Sequence, residues 1–364
     1  MKYPRAWIEV TPRDGGNAEV ISWQDIITLA VTDTLYNAAD SFELTLKNDK
    51  ALSDYLRKEM DVQIYLGYVA NPQAWSKNEL SLVFRGKVDG VRPAYSASGQ
   101  YVTLVGRDYA ALLLDNEFNL AFAERTASQV AELLAEKYGL TPVVTPTTTI
   151  VERDLYKDKK EWQILQTMAD REGFVCYVTP QKELYFGERQ AQKDENGEEE
   201  VSATFSWKKD TASNIKSVTF DDSMLEITNK VIVRHFMGKG KQAISATAQN
   251  DDLIAKYGEK AKVVYDSKAK TYDLALRTAQ NLLSKLCTAV VTFESMEIAG
   301  NAAVGAEKLI AIEGCGRFDG KYYVSEIKHN FAASTGYTCT LSGTNQQPDS
   351  AAQYRENLYE TAVT

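Results

Sequence analysis

A strand–turn–strand pattern occurs twice in this chain, and the repetition constrains the fold more than any other feature. In each copy a strand ends in glycine, a Val-x-x-Val or Val-x-x-Ile strand follows, and a glycine turn leads into Thr-Leu-x-Gly. The copies span 62–106 and 309–343. Apolar and polar residues that alternate between turn residues are typical of β-hairpins. The sequence therefore predicts two related β-domains, which favours an architectural role over a catalytic one.

Composition excludes several classes of protein. The length of 364 residues suits two or three domains, and the 44% share of hydrophobic residues is ordinary for a globular protein. A net charge of −9 works against adhesion to nucleic acid or anionic lipid. No stretch approaches the roughly 20 apolar residues of a spanning helix, so we expect neither membrane insertion nor a signal peptide. The four scattered cysteines are expected to be reduced, buried thiols of a protein made in the cytoplasm.

The order of patterns predicts a mainly β protein with an α+β insert, in which two β-sandwich or barrel domains flank a small α/β domain. The expected division is a first β-domain (1–115), a small α/β domain (116–190), a charged linker or hairpin (191–214), a second β-domain with one helix (215–345) and a C-terminal tail (346–364).

The middle of the chain carries helix signals. Thr126 and Gln129 form a capping box, and Gly139 ends the helix that follows. A second helix contains Trp162, and residues 174–186 predict a hairpin around a proline. Further along, residues 271–287 predict one amphipathic helix.

Histidine chemistry is not supported by the sequence. Only His235 and His329 are present, and they are too far apart for a short zinc-binding motif. His329 follows the strand alternation of Ile327 and Phe331, which favours a structural hydrogen-bonding role over that of a catalytic base. No Cys–His pair or G-x-S-x-G motif can be recognised. We therefore expect no metal site, no cofactor and no histidine-dependent catalysis.

Carboxylate pairs remain as catalytic candidates, because a glycosidase needs only two acidic groups. Asp108 with Asp115 or Glu117, and Asp221 with Asp222, qualify on composition alone. A chain with 50 acidic residues contains such pairs inevitably. We therefore expect no catalytic residues and treat the protein as a non-enzyme.

Six segments in order resemble the late control D family, the baseplate hub proteins of phage contractile tails and phage-tail-like particles. This family includes T4-type hubs and is similar to the N-terminal region of VgrG. The resemblance covers roughly residues 80–345. The segments are 84–91, 101–115, 126–134, 161–177, 184–187 and 322–329.

The resemblance implies a homotrimer in which each chain contributes two tube-type domains. Six such domains would form a pseudo-hexameric ring that joins a hexameric tail tube to a trimeric spike. The implied partners are the tail tube protein, the spike protein and other baseplate proteins, and the implied location is the baseplate of a virion or phage-tail-like particle. DNA would pass through an acidic lumen without specific binding.

The hub interpretation predicts which side chains build the tube domains or their subunit interfaces. We expect assembly to fail when Phe42 or Leu44 is replaced by aspartate. The candidates are Phe42, Leu44, Val88, Val91, Leu104, Val324, Ile327 and Leu341.

Two alternative functions stay open at this stage. One is a peptidoglycan hydrolase that uses paired carboxylates, and the other is a tail-tip binding module of a non-contractile tail. The sequence does not separate a phage from a bacteriocin or a contractile injection system, and it identifies neither the host nor the partner chains.

Overall fold

The computed structural model of the chain describes residues 2–35, 39–49, 51–97, 99–117, 125–148, 159–172, 174–193, 195, 197–207, 213–222, 228–236, 243–266, 269, 271–286 and 291–345. The predicted C-terminal tail, residues 346–364, lies outside the described residues. Within them the fold is mainly β with large antiparallel sheets, as the sequence predicts.

The chain divides into two compact units. Unit 1 comprises Met1–Ala169, Phe174–Phe220 and Phe293–Asn345, and unit 2 is built around Asp221–Thr292. The sequence pattern predicts that this last segment belongs to the second β-domain, because its strands show the same alternation as their neighbours. The five domain boundaries expected from the sequence stay a prediction.

The first β-repeat occupies the start of unit 1. Short 3₁₀ turns at Trp23–Asp25 and Lys77–Glu79 connect its elements. These elements are β1 (Tyr3–Thr11), β2 (Glu19–Ile21), β3 (Ile26–Thr34), β4 (Ser41–Lys47), α1 (Leu52–Tyr55), β5 (Asp61–Val69), β6 (Ser81–Ser96) and β7 (Gly99–Arg107).

A small α/β module follows in the same unit. Its elements are α2 (Ala111–Asp115), α3 (Ala127–Lys137), β8 (Thr141–Val144), α4 (Glu161–Glu172), β9 (Val175–Val178) and β10 (Glu183–Gly187). The predicted capping box is confirmed: Thr126 Oγ1 accepts from the N–H of Gln129, and the N–H of Thr126 donates to Gln129 Oε1. The predicted hairpin is the antiparallel pair β9–β10. Strand β8 pairs in parallel with β10.

The remaining elements complete both units. They are β11 (Ala203–Ser206), β12 (Ile215–Asp221), β13 (Lys230–His235), β14 (Ile244–Gln249), α5 (Asp251–Tyr257), β15 (Ala261–Tyr265), α6 (Tyr272–Leu286), β16 (Thr292–Ala299), β17 (Leu309–Glu313), β18 (Gly320–Ala332) and β19 (Gly336–Thr344). A 3₁₀ turn at Gly316–Phe318 precedes β18.

One sheet holds both β-repeats. Among the described residues it contains 13 strands. The first repeat has the order β3-β4-β7-β6-β5-β1, and the second has β12-β16-β19-β18-β17-β11. The first five strands of the two orders correspond, whereas the last differ in direction: β1 is antiparallel to β5, and β11 is parallel to β17. The repeats meet where β3 pairs with β18, in a register that runs from Thr34↔Glu326 to Leu29↔Phe331. The predicted duplication is therefore visible in the topology, and the two copies share a single sheet.

Backbone details repeat as well. Glu59 and Glu307 are both non-glycine residues with positive φ, at 66° and 72°. The N–H of Glu59 donates to the carbonyl oxygen of Val88 at 2.8 Å, and the N–H of Glu307 donates to that of Val324, also at 2.8 Å. Positive φ is uncommon outside glycine. Its recurrence at matching positions is therefore strong evidence that the two copies share one backbone plan.

Unit 2 has its own core. Its sheet has the order β14-β13-β15, and the amphipathic helix predicted near 271–287 is α6. Val231 and Val233 of the sheet are buried in one cluster with Ala275 and Ala279 of the helix. The main segment of this unit, Asp221–Thr292, lies in sequence between β12 and β16. In the first repeat the corresponding strands, β3 and β4, are joined by residues 35–40 alone.

Close strand crossing requires glycine at two equivalent positions, Gly106 and Gly343. A Cβ atom at Gly106 would overlap the carbonyl oxygen of Lys87 and the ring of Phe42. We expect Gly106→Ala to destabilise the protein by more than about 3 kcal/mol, because backbone cannot move aside as a flexible side chain can. Chemical denaturation followed by circular dichroism measures this.

Gly139 is the matched control for this substitution. Its φ is +66°, and a Cβ there would meet nothing within 4 Å. Gly139→Ala should therefore cost only about 1–2 kcal/mol of backbone strain. Equal losses in the two variants would contradict the steric explanation for Gly106.

Candidate functional site

A cavity of about 360 Å³ lies within unit 1. The end of β3, the start of β4, the residue after β7, the β9–β10 turn and the segment 302–308 all contribute to its lining. Its polar lining residues include Asp33, Asp40, Asp108 and His329, and the ring of Trp162 lines it as well. Elements of both β-repeats and of the α/β module therefore surround one polar space.

Three aspartates form the acidic part of this cavity. Each lies at the end of a strand or just beside one, and the backbone holds each in place. Asp108 donates its N–H to the carbonyl oxygen of Asp40 at 2.9 Å. The carboxyl groups accept backbone hydrogen bonds in three places: Asp40 Oδ1 from Thr34 at 3.0 Å, Asp33 Oδ2 from Ala306 at 2.9 Å, and Asp108 Oδ1 from Ala110 at 3.0 Å.

Burial determines the protonation of these aspartates. It raises the pKa of Asp33 to about 6, and the charge of Glu307 adds to the effect. It also raises the pKa of Asp108 to about 7 and that of Asp40 well above its usual range, where the charges of Asp33 and Asp108 contribute. Neighbouring carboxylates that share one enclosed space cannot all ionise cheaply. The cluster therefore retains protons near neutral pH.

A second polar group lies in the β18–β19 hairpin. His329 pairs across the strands with Cys339. The Cys339 sulfur lies 3.2 Å from His329 Nδ1, and the hydroxyl of Tyr337 lies 2.7 Å from the same nitrogen. Burial lowers the pKa of His329 to about 4 and raises the pKa of the Cys339 thiol. Both groups are therefore neutral, whereas a cysteine nucleophile needs a thiolate.

No Cys–His pair can be recognised from residue spacing alone. The signal that brings these two residues together is the register of the hairpin, which depends on where the turn at Gly336 falls. The structural role expected for His329 agrees with its hydrogen bond to Tyr337.

The predicted carboxylate pairs have other partners. Asp115 Oδ2 lies 2.8 Å from Arg107 Nη2, which lowers the pKa of that carboxyl. Glu117 lies 3.7 Å from Lys160 Nζ. Asp108 lines the cavity with Asp33 and Asp40 instead. These two partners are distant from Asp108 in the sequence, so spacing gave no signal for them.

A buried ion cluster lies beside this cavity. The guanidinium of Arg189 contacts Glu199 Oε1 at 2.5 Å and Glu307 Oε1 at 2.7 Å, and it lies 5.2 Å from the ring centre of Tyr323. The Arg189 side chain is only 5% exposed. Arg189 follows the α/β module in the chain, whereas Glu307 and Tyr323 belong to the second repeat. The cluster therefore connects these two parts of unit 1.

The tube-fold candidates lie in the strands of both repeats. Phe42, Leu44, Val88 and Leu104 are buried in the first repeat, whereas Val91 is half-buried. Val324, Ile327 and Leu341 are buried in the second repeat. Contact of any of them with another subunit stays a prediction.

The described residues contain neither a metal-binding cluster nor a membrane-spanning helix. No group of three or more His, Cys, Asp or Glu side chains there has an arrangement that could hold a metal ion. No helix of the described part is long and apolar enough to cross a membrane.

Known structures share this fold. A 43 kDa tail protein of prophage MuSo2 from Shewanella oneidensis is 14% identical, with a TM-score of 0.69 over 95% of this chain and 99% of that chain. A tail protein from Neisseria meningitidis MC58 is 14% identical, with a TM-score of 0.70 over 94% and 98% of the two chains. The E. coli c3393 protein, a component of the type VI secretion system, is 11% identical, with a TM-score of 0.53 over 89% and 74%.

Sequence comparison gives one family. The family model described as the Alg8 N-terminal domain matches residues 60–333. No curated protein matches the chain. At 11–14% identity the structural likeness shows the fold alone.

The aspartate cluster predicts that stability falls as the pH rises. The folded-state pKa of Asp108, about 7, lies above its unfolded value, so its contribution is complete below about pH 4 and is lost as the pH passes 7. We expect Asp108 alone to lower the free energy of unfolding by about 2–3 kcal/mol between about pH 5 and pH 8. Urea denaturation at the two pH values should show a smaller decline in Asp108→Asn than in the unmodified chain.

Asp115→Asn provides the control, because the pKa of Asp115 is lowered by Arg107. That variant should keep the decline of the unmodified chain. An undiminished decline in Asp108→Asn would contradict the assignment to the buried cluster.

The Arg189 cluster predicts a large effect of removing one charge. Arg189→Met leaves Glu199 and Glu307 without their cation, and we expect a loss of about 3–5 kcal/mol in thermal or denaturant unfolding. Lys216→Met is the comparison. The side chains of Lys216 and its partner Glu297 are 50% and 44% exposed, so their ion pair should contribute less than about 1 kcal/mol. Similar losses in both variants would show that burial does not matter here.

Proposed function

We propose that this chain, which belongs to the Alg8 N-terminal domain family, is a structural hub without catalytic activity, because it has the fold of phage-tail proteins. In this proposal three copies form a pseudo-hexameric ring at the baseplate of a tail or injection particle. The tail tube protein binds one side and the spike protein the other. The late control D resemblance supports this assignment, and the fold of a type VI secretion component agrees with it.

The observation that supports this proposal is the pairing of the two repeats within one chain. There β3, which belongs to the first repeat, pairs with residues 326–331 of β18 in the second repeat. In the corresponding part of the first repeat, β6 pairs with β7 through Gly90 to Ser96, whereas β5 pairs only with residues up to Lys87. This segment of β6 therefore has no second strand beside it within the described residues, whereas the matching segment of β18 pairs with β3.

The counterpart of β3 also has no strand on its outer side within the described part of the chain. β12 occupies the matching place in the second repeat and is the terminal strand of the sheet. Most of its residues are exposed or half-buried. If the internal junction is repeated between copies, β12 of one protomer pairs with residues 90–95 of β6 in the next. Such a contact is heterologous, so it closes into a ring or continues as a filament.

The resemblance to trimeric hubs supports closure at three copies. Three copies would place six similar β-repeats around one axis. Only the second repeat carries unit 2 between its β3- and β4-like strands. The same ring would thus present sixfold strand structure together with three copies of unit 2, which suits an adaptor between a hexameric tube and a trimeric spike.

One observation favours a second function. Asp33, Asp40 and Asp108 line a cavity and have raised pKa values, and such groups are frequent in active sites. Peptidoglycan turnover by the purified protein, lost in Asp108→Asn, would establish the hydrolase alternative. A tail-tip binding module of a non-contractile tail would use the same tube fold, and electron microscopy of the native particle separates it from a contractile system.

Disulfide trapping tests the ring contact directly. Cysteines are introduced at Ser217 or Thr219 of β12 together with Arg92 or Ala94 of β6, four exposed positions, in a Cys315→Ser background. We expect at least one pair to give covalent species of up to three chains and no larger ones after mild oxidation. Denaturing electrophoresis measures the sizes.

Variants with only one introduced cysteine are the controls and should remain single chains, because neither edge contacts itself. A dimer from a single-cysteine variant would indicate an isologous contact instead. A ladder that continues beyond three chains would indicate a filament, and absence of cross-links in all four pairs would refute the edge contact.

A further inference from the structure

The internal junction, where β3 pairs with residues 326–331 of β18, can be compared residue by residue with the two edges that match it. β3 and β12 each begin at a buried isoleucine, Ile26 and Ile215, both 2% exposed. From there both sequences run without a gap to an aspartate, Asp33 and Asp222. Residues 215–222 are therefore the counterparts of residues 26–33.

The neighbouring strands agree with this alignment. Thr45 of β4 and Glu297 of β16 are counterparts, because each stands three residues before the N–H that bonds to the second residue of β7 or β19. Thr28 pairs with Thr45. Lys216, which adjoins the counterpart of Thr28, binds Glu297 at 2.9 Å. The side chains of β12 and β16 therefore meet as the alignment requires.

The receiving strands β6 and β18 can be aligned in the same way. Val88 and Val324 are counterparts, because each accepts the hydrogen bond of a glutamate with positive φ. Each is followed by a register shift against the next strand, after which residues 90–96 match residues 326–332. The register of the internal junction can therefore be transferred to β12 and residues 90–95 of β6.

The transferred register accounts for two apolar side chains that are not fully buried. In the internal junction Leu29 pairs with Phe331, and they are 1% and 3% exposed. Their counterparts are Val218 of β12 and Tyr95 of β6. Val218 is half-buried and Tyr95 is 64% exposed. Each therefore exposes apolar surface at a position that the internal junction buries.

One residue of the β6 edge opposes unspecific strand pairing. Pro93 has no N–H, and a proline on an edge strand protects it against pairing with other chains. Its counterpart is His329. Ser325 of β18 accepts from Leu35 across the internal junction, so the main-chain groups of His329 also face β3. A ladder between copies would therefore lack one bond at Pro93, and side chains must select the strand that pairs here.

Opposite charges lie at the other end of the transferred register. Thr32 pairs with Lys328 in the internal junction, and their counterparts are Asp221 and Arg92. Both of these side chains are exposed. Opposite charges directly across two strands attract each other, whereas like charges repel. The edges between copies would therefore hold a charge pair where the internal junction holds a threonine and a lysine.

A second acidic residue also has a matching donor. In the internal junction Asp33 Oδ2 accepts from the N–H of Ala306 at 2.9 Å. Lys58 is the counterpart of Ala306, because each directly precedes the glutamate with positive φ. Within the described residues the N–H of Lys58 has no acceptor. Asp222, the counterpart of Asp33, would therefore meet an N–H donor and an ammonium group on the next copy.

We propose that the acidic end of β12 binds Lys58 and Arg92 on the next copy of this chain. Asp221 lies opposite Arg92, and Asp222 accepts from the N–H of Lys58. At the apolar end β12 covers Tyr95. The inference rests on the proposed function, because it needs β12 to reach β6 of another copy. It adds that charge fixes the register, since a slip by one residue would place Asp221 opposite an uncharged residue on the other face.

The test uses the full chain and measures the rate of disulfide formation between copies. The reacting pair is Thr219→Cys with Ala94→Cys in a Cys315→Ser background. These two positions lie opposite each other in the transferred register, as Ala30 and Asn330 do in the internal junction. Denaturing electrophoresis of samples taken during mild oxidation gives the rate.

Charge reversal in this background tests the pairing itself. We expect Arg92→Glu to slow cross-linking about five- to tenfold, because it places like charges opposite each other. Adding Asp221→Arg should restore the rate. Lys216→Glu is the matched control: it makes the same change in net charge on β12, outside the transferred register, and should leave the rate unchanged.

Two substitutions at Asp222 separate its hydrogen bond from its charge. Asp222→Asn keeps an oxygen that accepts from the N–H of Lys58, whereas Asp222→Ala removes it. We expect Asp222→Ala to slow cross-linking more than Asp222→Asn. Equal rates in the two variants would contradict the bond to Lys58.

The outcomes separate this charge pairing from the ring contact. An unchanged rate in Arg92→Glu, or a slowed rate that Asp221→Arg does not restore, would refute the charge pairing and leave the ring contact intact. Equal slowing by Lys216→Glu would show that net charge decides and would have the same consequence. A cross-link from another of the four cysteine pairs but not from this one would refute the register alone, and its absence from all four would refute both proposals.

Discussion

The pairing of β3 with β18 is the contact on which the organisation of unit 1 depends. It joins residues about 300 positions apart, from Thr34↔Glu326 to Leu29↔Phe331. Contacts of such sequence separation are costly in chain entropy and slow to form. Burial of Leu29, Phe331 and their neighbours offsets this cost. The contact also covers one edge of each repeat, so that two β-domains become a single sheet with fewer open edges.

The individual strands could be predicted from the sequence, whereas their assembly could not. Alternation along 62–67 or 338–343 reports which side chains face a core, and this information is local. It does not say which strand edges pair with one another, so the pairing of β3 with β18 could not be predicted. Unit 2 shows the same limit. Its strands resemble those of the second repeat, and only the contacts of Val231 and Val233 with α6 separate them.

The polar residues of unit 1 show why sequence spacing is a poor guide to a site. Asp33, Asp40 and Asp108 each adjoin a strand end, where a lone aspartate is ordinary in a turn. Three strands bring them to one cavity, and burial then raises their pKa values. Cys339 and His329 are adjacent through hairpin register, yet burial keeps both neutral. Proximity of reactive residue types is therefore compatible with a structural role.

The matching pair Glu59 and Glu307 shows how the two repeats have come to differ. Both residues have the same unusual backbone conformation and the same hydrogen bond into a neighbouring strand. Among the described residues the Glu59 side chain binds Lys87 at the surface, 3.2 Å away, whereas that of Glu307 binds the buried Arg189. The backbone requirement is shared, but the side-chain requirement is not. Position 59 is therefore free to diverge among relatives that keep the fold, while position 307 is tied to the charge at position 189.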